Sequence, residues 1–400
     1  MRAVITPSKL DGKIDAIPSK SFAHRAVICN FLGGNKGKIE GLYPSIDINA
    51  TVSCVNAINS CEKVKVLDCA ESGSTLRFML SVAGAIGGEF VFLGKGKLME
   101  RPIEELSDVL SRHGVTIVKT DKITLSGKLV SGKYSIRGDI SSQYITGLLM
   151  ALPILDGDSE IILTTPLSST PYIDITLSVL KEYGINIDKT LNGFYVKGNQ
   201  KYKTIDYKVE GDWSNAGYFL VASAIDGKVK VGGLNHDSVQ GDKAILSVIE
   251  KAGLKVEYDG DYYFVKKGEI KPFKYSAKDC PDIVPATAVL GAFADGVSEI
   301  TDIERLKIKE SDRVKSVIAM LNSFGIFAEE KEGTLYIHGG KIKGGKVDSF
   351  NDHRIVMASA ILSAYSSDKS EILDAKAVNK SYPTFFEDLK KLNGEVLLYD

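Results

Sequence analysis

The chain lacks the features of several protein classes. Its 400 residues include 50 basic and 51 acidic side chains, so the formal net charge of -1 gives no bulk attraction for nucleic acid or for a membrane surface. Five cysteines form no CxxC pair, and five histidines form no HExxH pattern. We therefore expect a globular protein with reduced, mostly buried thiols and no metal site.

Long apolar segments are also missing. The N-terminal stretch MRAVITPSKLDGKIDAIP lacks the apolar core of about 7 to 15 residues that a secretory signal needs, and no apolar run approaches a membrane span. A cytoplasmic location is the resulting expectation. The length suggests two or three domains, but no Pro/Gly/Ser-rich linker marks a boundary.

What the chain does contain is a repeat. Six times a strand-like run ends in a short polar loop and an apolar helix follows. A second pattern, an amphipathic helix closed by glycine, recurs at steps of 70, 69, 72 and 69 residues, at Gly114, Gly184, Gly253, Gly325 and Gly394. The alternation predicts six βαβαββ units, each too long for a solenoid repeat.

The six units divide into two sets of three. We place the boundaries so that one domain holds residues 1–12 and 212–400 and the other holds residues 13–211. Each polar loop precedes a helix, and a helix N-terminus has free backbone N–H groups and a positive dipole end. The six loops could therefore converge on anions.

The first two polar loops place cations and small residues at helix starts. In PSKSFAHRA, Ser21 can cap a helix whose first turns carry His24 and Arg25. This is either an anion site or a capped helix with a solvated arginine. In ESGSTLRFM, Gly73 stands in a small-residue turn that lets backbone N–H groups approach a phosphate, although such turns are common.

The third loop and the segment after it are rich in hydroxyl groups. GDISSQYITG places Ser141, Ser142 and Gln143 before an apolar helix, where polar groups are destabilising unless a cap or a ligand meets them. Capping explains one serine but hardly all three side chains. LSSTPYID adds Ser169 and Tyr172, which a proline-containing helix start would also explain.

The later loops concentrate charge. KDCPDIVPA offers Asp282 before a buried helix, either as a helix cap or as a base or hydroxyl acceptor. FNDHRIVMAS sets Arg354 against an apolar helix, where unpaired charge is costly, which favours a functional role. Two isolated cations are Arg101 in ERPIEEL and Lys380 in VNKSYPTFFEDL. Taken individually, each is more typical of a protein surface than of a site. The densest segment, LKIKESDRV, holds Lys307, Lys309, Glu310, Asp312 and Arg313.

Eight segments in chain order together resemble the enolpyruvyl transferase family of 5-enolpyruvylshikimate-3-phosphate synthases. They are PSKSFAHRA, SGSTLRFM, ERPI, GDISSQYITGLLMALP, TPYIDIT, IKESDRV, NDHRIVMA and NKSYPTFFEDL. The resemblance covers the full length. It implies an α/β fold, a two-domain inside-out α/β barrel with three βαβαββ units per domain about a pseudo-threefold axis, and an active site in the cleft between the domains.

The resemblance also implies a reaction. The family transfers the enolpyruvyl group of phosphoenolpyruvate to the 5-hydroxyl of shikimate 3-phosphate by addition and elimination, and it releases phosphate without a metal or cofactor. The implied partners are these two small molecules, with no nucleic acid and no membrane, and the implied state is a monomer.

By the same resemblance, individual residues receive roles. Asp282 would hydrogen-bond the attacking hydroxyl, Glu310 would exchange the methylene proton and Lys20 would assist as an acid, although the sequence leaves the division between the two carboxylates open. The residues implied to hold shikimate 3-phosphate are Lys20, Ser21, Arg25, Ser141, Ser142, Gln143, Ser169, Tyr172, Asp282 and Lys309. Those implied to hold phosphoenolpyruvate are Lys20, Gly73, Arg101, Gln143, Arg313, Arg354 and Lys380.

Two other interpretations compete with this one. A UDP-N-acetylglucosamine enolpyruvyl transferase shares the fold and the chemistry, but it typically carries a reactive cysteine that the ERPI region of this chain lacks. A noncatalytic anion-binding protein on a similar repeat would be expected to show a basic excess or aromatic stacking platforms, which a net charge of -1 and scattered tyrosines do not provide.

Overall fold

The computed structural model describes residues 1–400 as alternating helices and strands. The α-helices are α1 (Lys20–Leu32), α2 (Ile46–Ile58), α3 (Gly73–Ile86), α4 (Glu104–Ser111), α5 (Ser142–Ala151), α6 (Thr170–Glu182), α7 (Trp213–Asp226), α8 (Ala244–Lys251), α9 (Val284–Ala292), α10 (Arg313–Ser323), α11 (His353–Ala364) and α12 (Phe385–Lys391). Short 3₁₀ turns lie at Leu98–Glu100, Leu152–Ile154, Gly241–Lys243, Pro281–Ile283, Glu304–Ile308 and Ala375–Lys380.

The strands are short, as expected for small α/β subdomains. They are β1 (Arg2–Thr6), β2 (Gly12–Asp15), β3 (Ile39–Glu40), β4 (Val64–Asp68), β5 (Gly88–Leu93), β6 (Val115–Lys119), β7 (Ile123–Gly127), β8 (Lys133–Ile136), β9 (Ser159–Leu163), β10 (Ile187–Thr190), β11 (Gly193–Val196), β12 (Tyr207–Lys208), β13 (Val229–Gly232), β14 (Lys255–Tyr258), β15 (Tyr262–Lys266), β16 (Lys274–Ser276), β17 (Val297–Thr301), β18 (Ala328–Lys331), β19 (Thr334–His338), β20 (Lys346–Asp348), β21 (Ser370–Leu373) and β22 (Glu395–Tyr399).

Five four-stranded sheets share one strand order, which confirms the predicted repeat. Their orders are β4-β5-β7-β6, β8-β9-β11-β10, β2-β13-β15-β14, β16-β17-β19-β18 and β20-β21-β1-β22. In each sheet the first two strands are parallel and the remaining neighbours are antiparallel. A parallel pair needs a long crossover, whereas antiparallel neighbours can be joined by a tight turn, so helices and hairpins alternate.

The sixth unit is shorter than predicted. Its sheet contains only β3 and β12, which are parallel and two residues long each. After α2 the chain passes through residues 59–63 directly into β4 of the next sheet, so no segment remains to form further strands. The prediction of six complete βαβαββ units is therefore correct for five of them.

The chain divides into two compact units. Unit 1 contains residues 1–19 and 210–400, and unit 2 contains residues 20–209. The first boundary therefore lies after Ser19 rather than near residue 12. The reason is that β2 pairs with β13 and that Pro18 forms a bridge with Gly211, which keeps this segment in unit 1.

The two strands that precede the boundaries exchange partners. In sequence, β2 leads into α1 and β12 leads into α7, and local patterns predict each strand in the sheet of the helix that follows. In the structure, β2 lies parallel to β13 of unit 1, and β12 lies parallel to β3 of unit 2. Strand β2 thus belongs to unit 1 although α1, the helix that follows it, belongs to unit 2. Strand β12 belongs to unit 2 although α7, the helix that follows it, belongs to unit 1.

Helix character follows the apolar pattern. Every residue of α9 and of α11 is buried, whereas α8 buries only Ile245, Val248 and Ile249. The predicted glycine ends adopt positive φ at the first four positions, with values of 101°, 77°, 85° and 77°. At the fifth, Asn393 takes this conformation one residue before Gly394. None of the helices is long and apolar enough to cross a membrane.

Candidate active site

Arg313 is the centre of a charged cluster in unit 1. It is the first residue of α10 and its side chain is 1% exposed. Its Nε donates to Asp352 Oδ2 at 3.0 Å, its Nη1 donates to Asp282 Oδ1 at 2.9 Å, and its Nη2 donates to the Glu310 carboxylate. Burial opposes the charge, but the three carboxylates outweigh it and raise the pKa of Arg313.

Asp282 is the carboxylate with the most cationic neighbours. Besides Arg313, the Nη2 of Arg354 lies 3.2 Å from its Oδ2 and the Nζ of Lys309 lies 3.3 Å from its Oδ1. Three cations around one carboxylate stabilise its charge. Burial lowers the pKa of Lys309, with Arg313 and Arg305 acting in the same direction. The structure thus places both predicted catalytic carboxylates, Asp282 and Glu310, on one guanidinium.

Two further predicted cations lie at the start of α11. Asp352 caps this helix by accepting from Arg354 N at 2.9 Å. The guanidinium of Arg354 donates to Ser214 Oγ at 2.7 Å, and Lys380 Nζ donates to the backbone oxygen of Asn351 at 2.7 Å. Helix α11 therefore begins in a region where Arg313, Arg354 and a helix N-terminus come together.

Arg25 occupies a different environment in unit 2. It is 3% exposed, and its guanidinium donates to Thr176 Oγ1 at 2.8 Å, to the backbone oxygens of Ser21 and Tyr172 at 2.6 and 2.9 Å, and to Thr146 Oγ1 at 3.4 Å. All of these acceptors are neutral. Burial lowers the pKa of Arg25 to about 10. Hydrogen bonds therefore orient this buried guanidinium, but none of them goes to a carboxylate that would balance its positive charge.

Lys20 and Gly73 contribute to the same unit at the first residues of α1 and α3. The Nζ of Lys20 lies 2.7 Å from Asp47 Oδ2. A Cβ atom at Gly73 would lie 2.6 Å from Arg101 Nη1, so only glycine lets the guanidinium pack this closely. The Nε of Arg101 is buried without a hydrogen-bond partner.

The predicted hydroxyl-rich loops lie at the starts of α5 and α6. Ser141 caps α5 by accepting from Gln143 N at 3.3 Å, so capping explains this serine, and Ser142 is buried beside it. Ser169 precedes α6 in a left-handed conformation with φ of 57° and is 1% exposed. Such backbone strain in a non-glycine residue is common at functional sites.

Several residues of these clusters escape sequence reasoning. Thr176 follows Tyr172 by one helical turn, and this spacing is the signal that could have placed it beside Arg25. Asp47 resembles an ordinary acidic residue in the first turn of α2. Asp242 lies in a 3₁₀ turn, where burial and the neighbouring Asp282 raise its pKa to about 7 despite the opposing charge of Arg354.

Known proteins resemble this chain over nearly all of its length. A family model described as EPSP synthase (3-phosphoshikimate 1-carboxyvinyltransferase) matches residues 4–389. A 3-phosphoshikimate 1-carboxyvinyltransferase of Clostridium novyi is 40% identical, with 98% of this chain and 97% of the relative covered. The protein of the same name from Clostridioides difficile is 36% identical with the same coverage.

Solved structures share the fold. The EPSP synthase of Acinetobacter baumannii superimposes with a TM-score of 0.80 at 23% identity, covering 99% of this chain and all of that one. The enolpyruvyl transferase NikO of Streptomyces tendae superimposes with a TM-score of 0.77 at 16% identity, covering 99% and 98%. At these identities the likeness concerns the fold alone, and it agrees with the expected two-domain inside-out α/β architecture.

Proposed function

We propose a mechanism for this chain on the premise that it belongs to the EPSP synthase family, the 3-phosphoshikimate 1-carboxyvinyltransferases. It is therefore a transferase of the shikimate pathway. In the reaction we assign to it, the enolpyruvyl group of phosphoenolpyruvate moves to the 5-hydroxyl of shikimate 3-phosphate and phosphate leaves.

Both substrates are multiply anionic, and the buried guanidinium of Arg25 is the observation that carries the proposal. Its four hydrogen-bond acceptors are all neutral, and burial of an unbalanced charge is costly. A phosphate or carboxylate group would offset this cost and accept charge-assisted hydrogen bonds. We therefore assign Arg25, Lys20 and Ser21, with the residues at the starts of α5 and α6, to shikimate 3-phosphate. These residues are Ser141, Ser142, Gln143, Ser169 and Tyr172.

Phosphoenolpyruvate is assigned to the remaining cations. In unit 2, Arg101 beside Gly73 combines an unpaired Nε–H with the N-terminus of α3. In unit 1, Arg354 and Lys380 flank the start of α11. Arg313 is included on the family resemblance, and since all three of its nitrogens donate to carboxylates, it would have to share or exchange one of them on binding.

The proton transfers are assigned to Asp282, Glu310 and Lys20. The 5-hydroxyl must lose a proton and the methylene carbon must gain one, which yields a tetrahedral ketal phosphate that then expels phosphate. Asp282, held as an acceptor by the three cations Arg313, Arg354 and Lys309, would bind the hydroxyl, and Glu310 would exchange the methylene proton. Lys20 would assist as an acid. Arginine clamps would orient the reacting groups.

The assignment is tested by phosphate release from phosphoenolpyruvate in the presence of either shikimate 3-phosphate or UDP-N-acetylglucosamine. We expect release with the first acceptor alone. Release with only the UDP sugar would favour the related transferase, and release with neither would reject the enzyme function. A monomeric state and a cytoplasmic location stay predictions of the sequence.

The proton-transfer roles are tested by Glu310→Gln and Lys20→Ala. General acid–base groups contribute about a hundredfold to ten-thousandfold in rate, so kcat should fall within that range while circular dichroism is unchanged. Lys315→Met, which alters an exposed side chain on α10, serves as the control. Near-normal rates in both variants would reject the roles.

A further inference from the structure

We infer that Arg77 is a positioning residue that orients the side-chain amide of Gln143 and at the same time anchors the loop of Arg101. The inference rests on the proposed function, in which Gln143 and Arg101 contact the substrates. Arg77 lies within α3 and is only 5% exposed. It therefore acts through the side chains that it holds.

The guanidinium of Arg77 makes two hydrogen bonds to different elements. Its Nη1 donates to Gln143 Oε1 at 2.6 Å, and its Nη2 donates to the backbone oxygen of Pro102 at 3.1 Å. The group also lies over the ring of Tyr144, with 5.6 Å from its central carbon to the ring centroid. A planar fork of N–H groups suits this double contact, because its donors leave from separate nitrogen atoms, whereas a lysine presents all of its donors from one nitrogen.

The first hydrogen bond determines which way the Gln143 amide faces. A guanidinium can only donate, so the amide oxygen must face Arg77 and the amide nitrogen must face away from it. One N–H of this nitrogen is directed to Ser74 Oγ at 2.8 Å, and the other remains a donor. Gln143 is thus fixed as a hydrogen-bond donor toward a ligand, which suits the oxygen atoms of phosphates, carboxylates and hydroxyls.

The second hydrogen bond holds the neighbouring loop. The Pro102 carbonyl oxygen accepts from Arg77 and also from the hydroxyl of Tyr144, at 2.6 Å. Pro102 directly follows Arg101, whose guanidinium packs against Gly73 at the start of α3. The network therefore joins Gln143, Arg101 and Gly73, which are all assigned to substrate binding. Arg77 contacts Gln143 directly and contacts the segment of Arg101 through Pro102.

If Arg77 were only structural, its removal would lower the stability of the protein, and the accompanying loss of activity would be the same whether or not Gln143 is present. A positioning role instead predicts that the effect of removing Arg77 depends on Gln143, which a double-mutant cycle measures. The variants are Arg77→Met, Gln143→Ala and the double variant, with Arg112→Met as a matched control because Arg112 is an exposed arginine of the same unit. The readouts are kcat and KM for both substrates, and thermal unfolding.

We expect Arg77→Met to lower kcat/KM by about tenfold to a hundredfold, the range for a hydrogen bond to a charged group. In the Gln143→Ala background, the same change should lower kcat/KM by less than about threefold. This residual loss corresponds to the contact of Arg77 with the Pro102 oxygen, which does not depend on Gln143. Equal effects in both backgrounds would overturn the inference. An inactive wild-type protein would instead reject the proposed function itself.

A second variant covers the case in which Arg77→Met does not fold. In Gln143→Glu the carboxylate can still pair with Arg77, but it has no N–H to donate. We expect this protein to unfold at the wild-type temperature and to lose about as much kcat/KM as Gln143→Ala, in the range of about tenfold or more. Wild-type activity in Gln143→Glu would overturn the inferred amide orientation.

Discussion

Arg25 of unit 2 and Arg313 of unit 1 are buried to a similar extent, with 3% and 0% of the whole residue exposed, but only the charge of Arg313 is balanced by carboxylates. Neutral oxygens surround Arg25, and burial lowers its pKa to about 10. Three carboxylates surround Arg313 and raise its pKa. Burial therefore does not distinguish an arginine with an unbalanced charge from one whose charge carboxylates neutralise. The charge of the partners does, because only an unbalanced cation gains strongly when an anion binds.

The sharpest test of this contrast is the stability of Arg313→Met. Removal of this cation leaves Asp282, Glu310 and Asp352 close together without their shared partner, and breaking a buried ion pair costs about 3–5 kcal/mol. Urea unfolding followed by Trp213 fluorescence reports this unit, because Trp213 is the single tryptophan and is buried in α7.

The control for that experiment lies on the same helix. Lys315→Met breaks an ion pair with Asp312 at 3.1 Å, but the lysine side chain is 83% exposed, so the loss should stay below about 1 kcal/mol. Equal unfolding midpoints for Arg313→Met and Lys315→Met would remove the contrast between the two arginines.

The same substitution at Arg25 should affect binding rather than folding. Arg25→Met removes a buried charge whose partners are neutral, so the urea midpoint followed by circular dichroism should change little. The Kd for shikimate 3-phosphate, measured by calorimetry, should rise by about a hundredfold because charge-assisted hydrogen bonds to the anion are lost. Arg112→Met should bind like the wild type. A strongly destabilised Arg25→Met with normal affinity would reverse the interpretation.

The smallest expected effect concerns His24, which lies on α1 with Lys20 and Arg25. Its Nδ1 is 2.7 Å from Thr51 Oγ1, and burial, followed by Lys20 and Arg25, lowers its pKa well below the usual value. The folded chain thus keeps His24 neutral where the unfolded chain takes up a proton. Stability is therefore lost as the pH falls below about 6.5, by up to about 1.4 kcal/mol per pH unit.

His24→Asn should remove this contribution. The urea midpoint, followed by circular dichroism at pH values from about 7.5 to 5.5, should fall less steeply in the variant than in the wild type. Parallel slopes for the two proteins would show that His24 is not held neutral.

Local patterns predicted the repeat well. The buried helices α9 and α11 and the glycine-ended helices follow from periodicity and from capping residues, which act over a few neighbouring positions. The exchange of β2 and β12 between the units could not be predicted in this way. Both strands are followed by the expected loop and helix, and only pairing with distant strands reveals where they belong.

The candidate site shows the same division. Motifs and a family resemblance identified Arg25, Arg313, Asp282 and Glu310 as functional candidates and named the two substrates. The sequence by itself determined the repeat and the residue types at each loop, and the family resemblance of its motifs implied the reaction. The tertiary structure decided which cation is neutralised, because Arg25 meets Thr176 across 151 positions and Arg313 meets Asp352 across 39. Electrostatic balance depends on distances in space, which local sequence patterns do not encode.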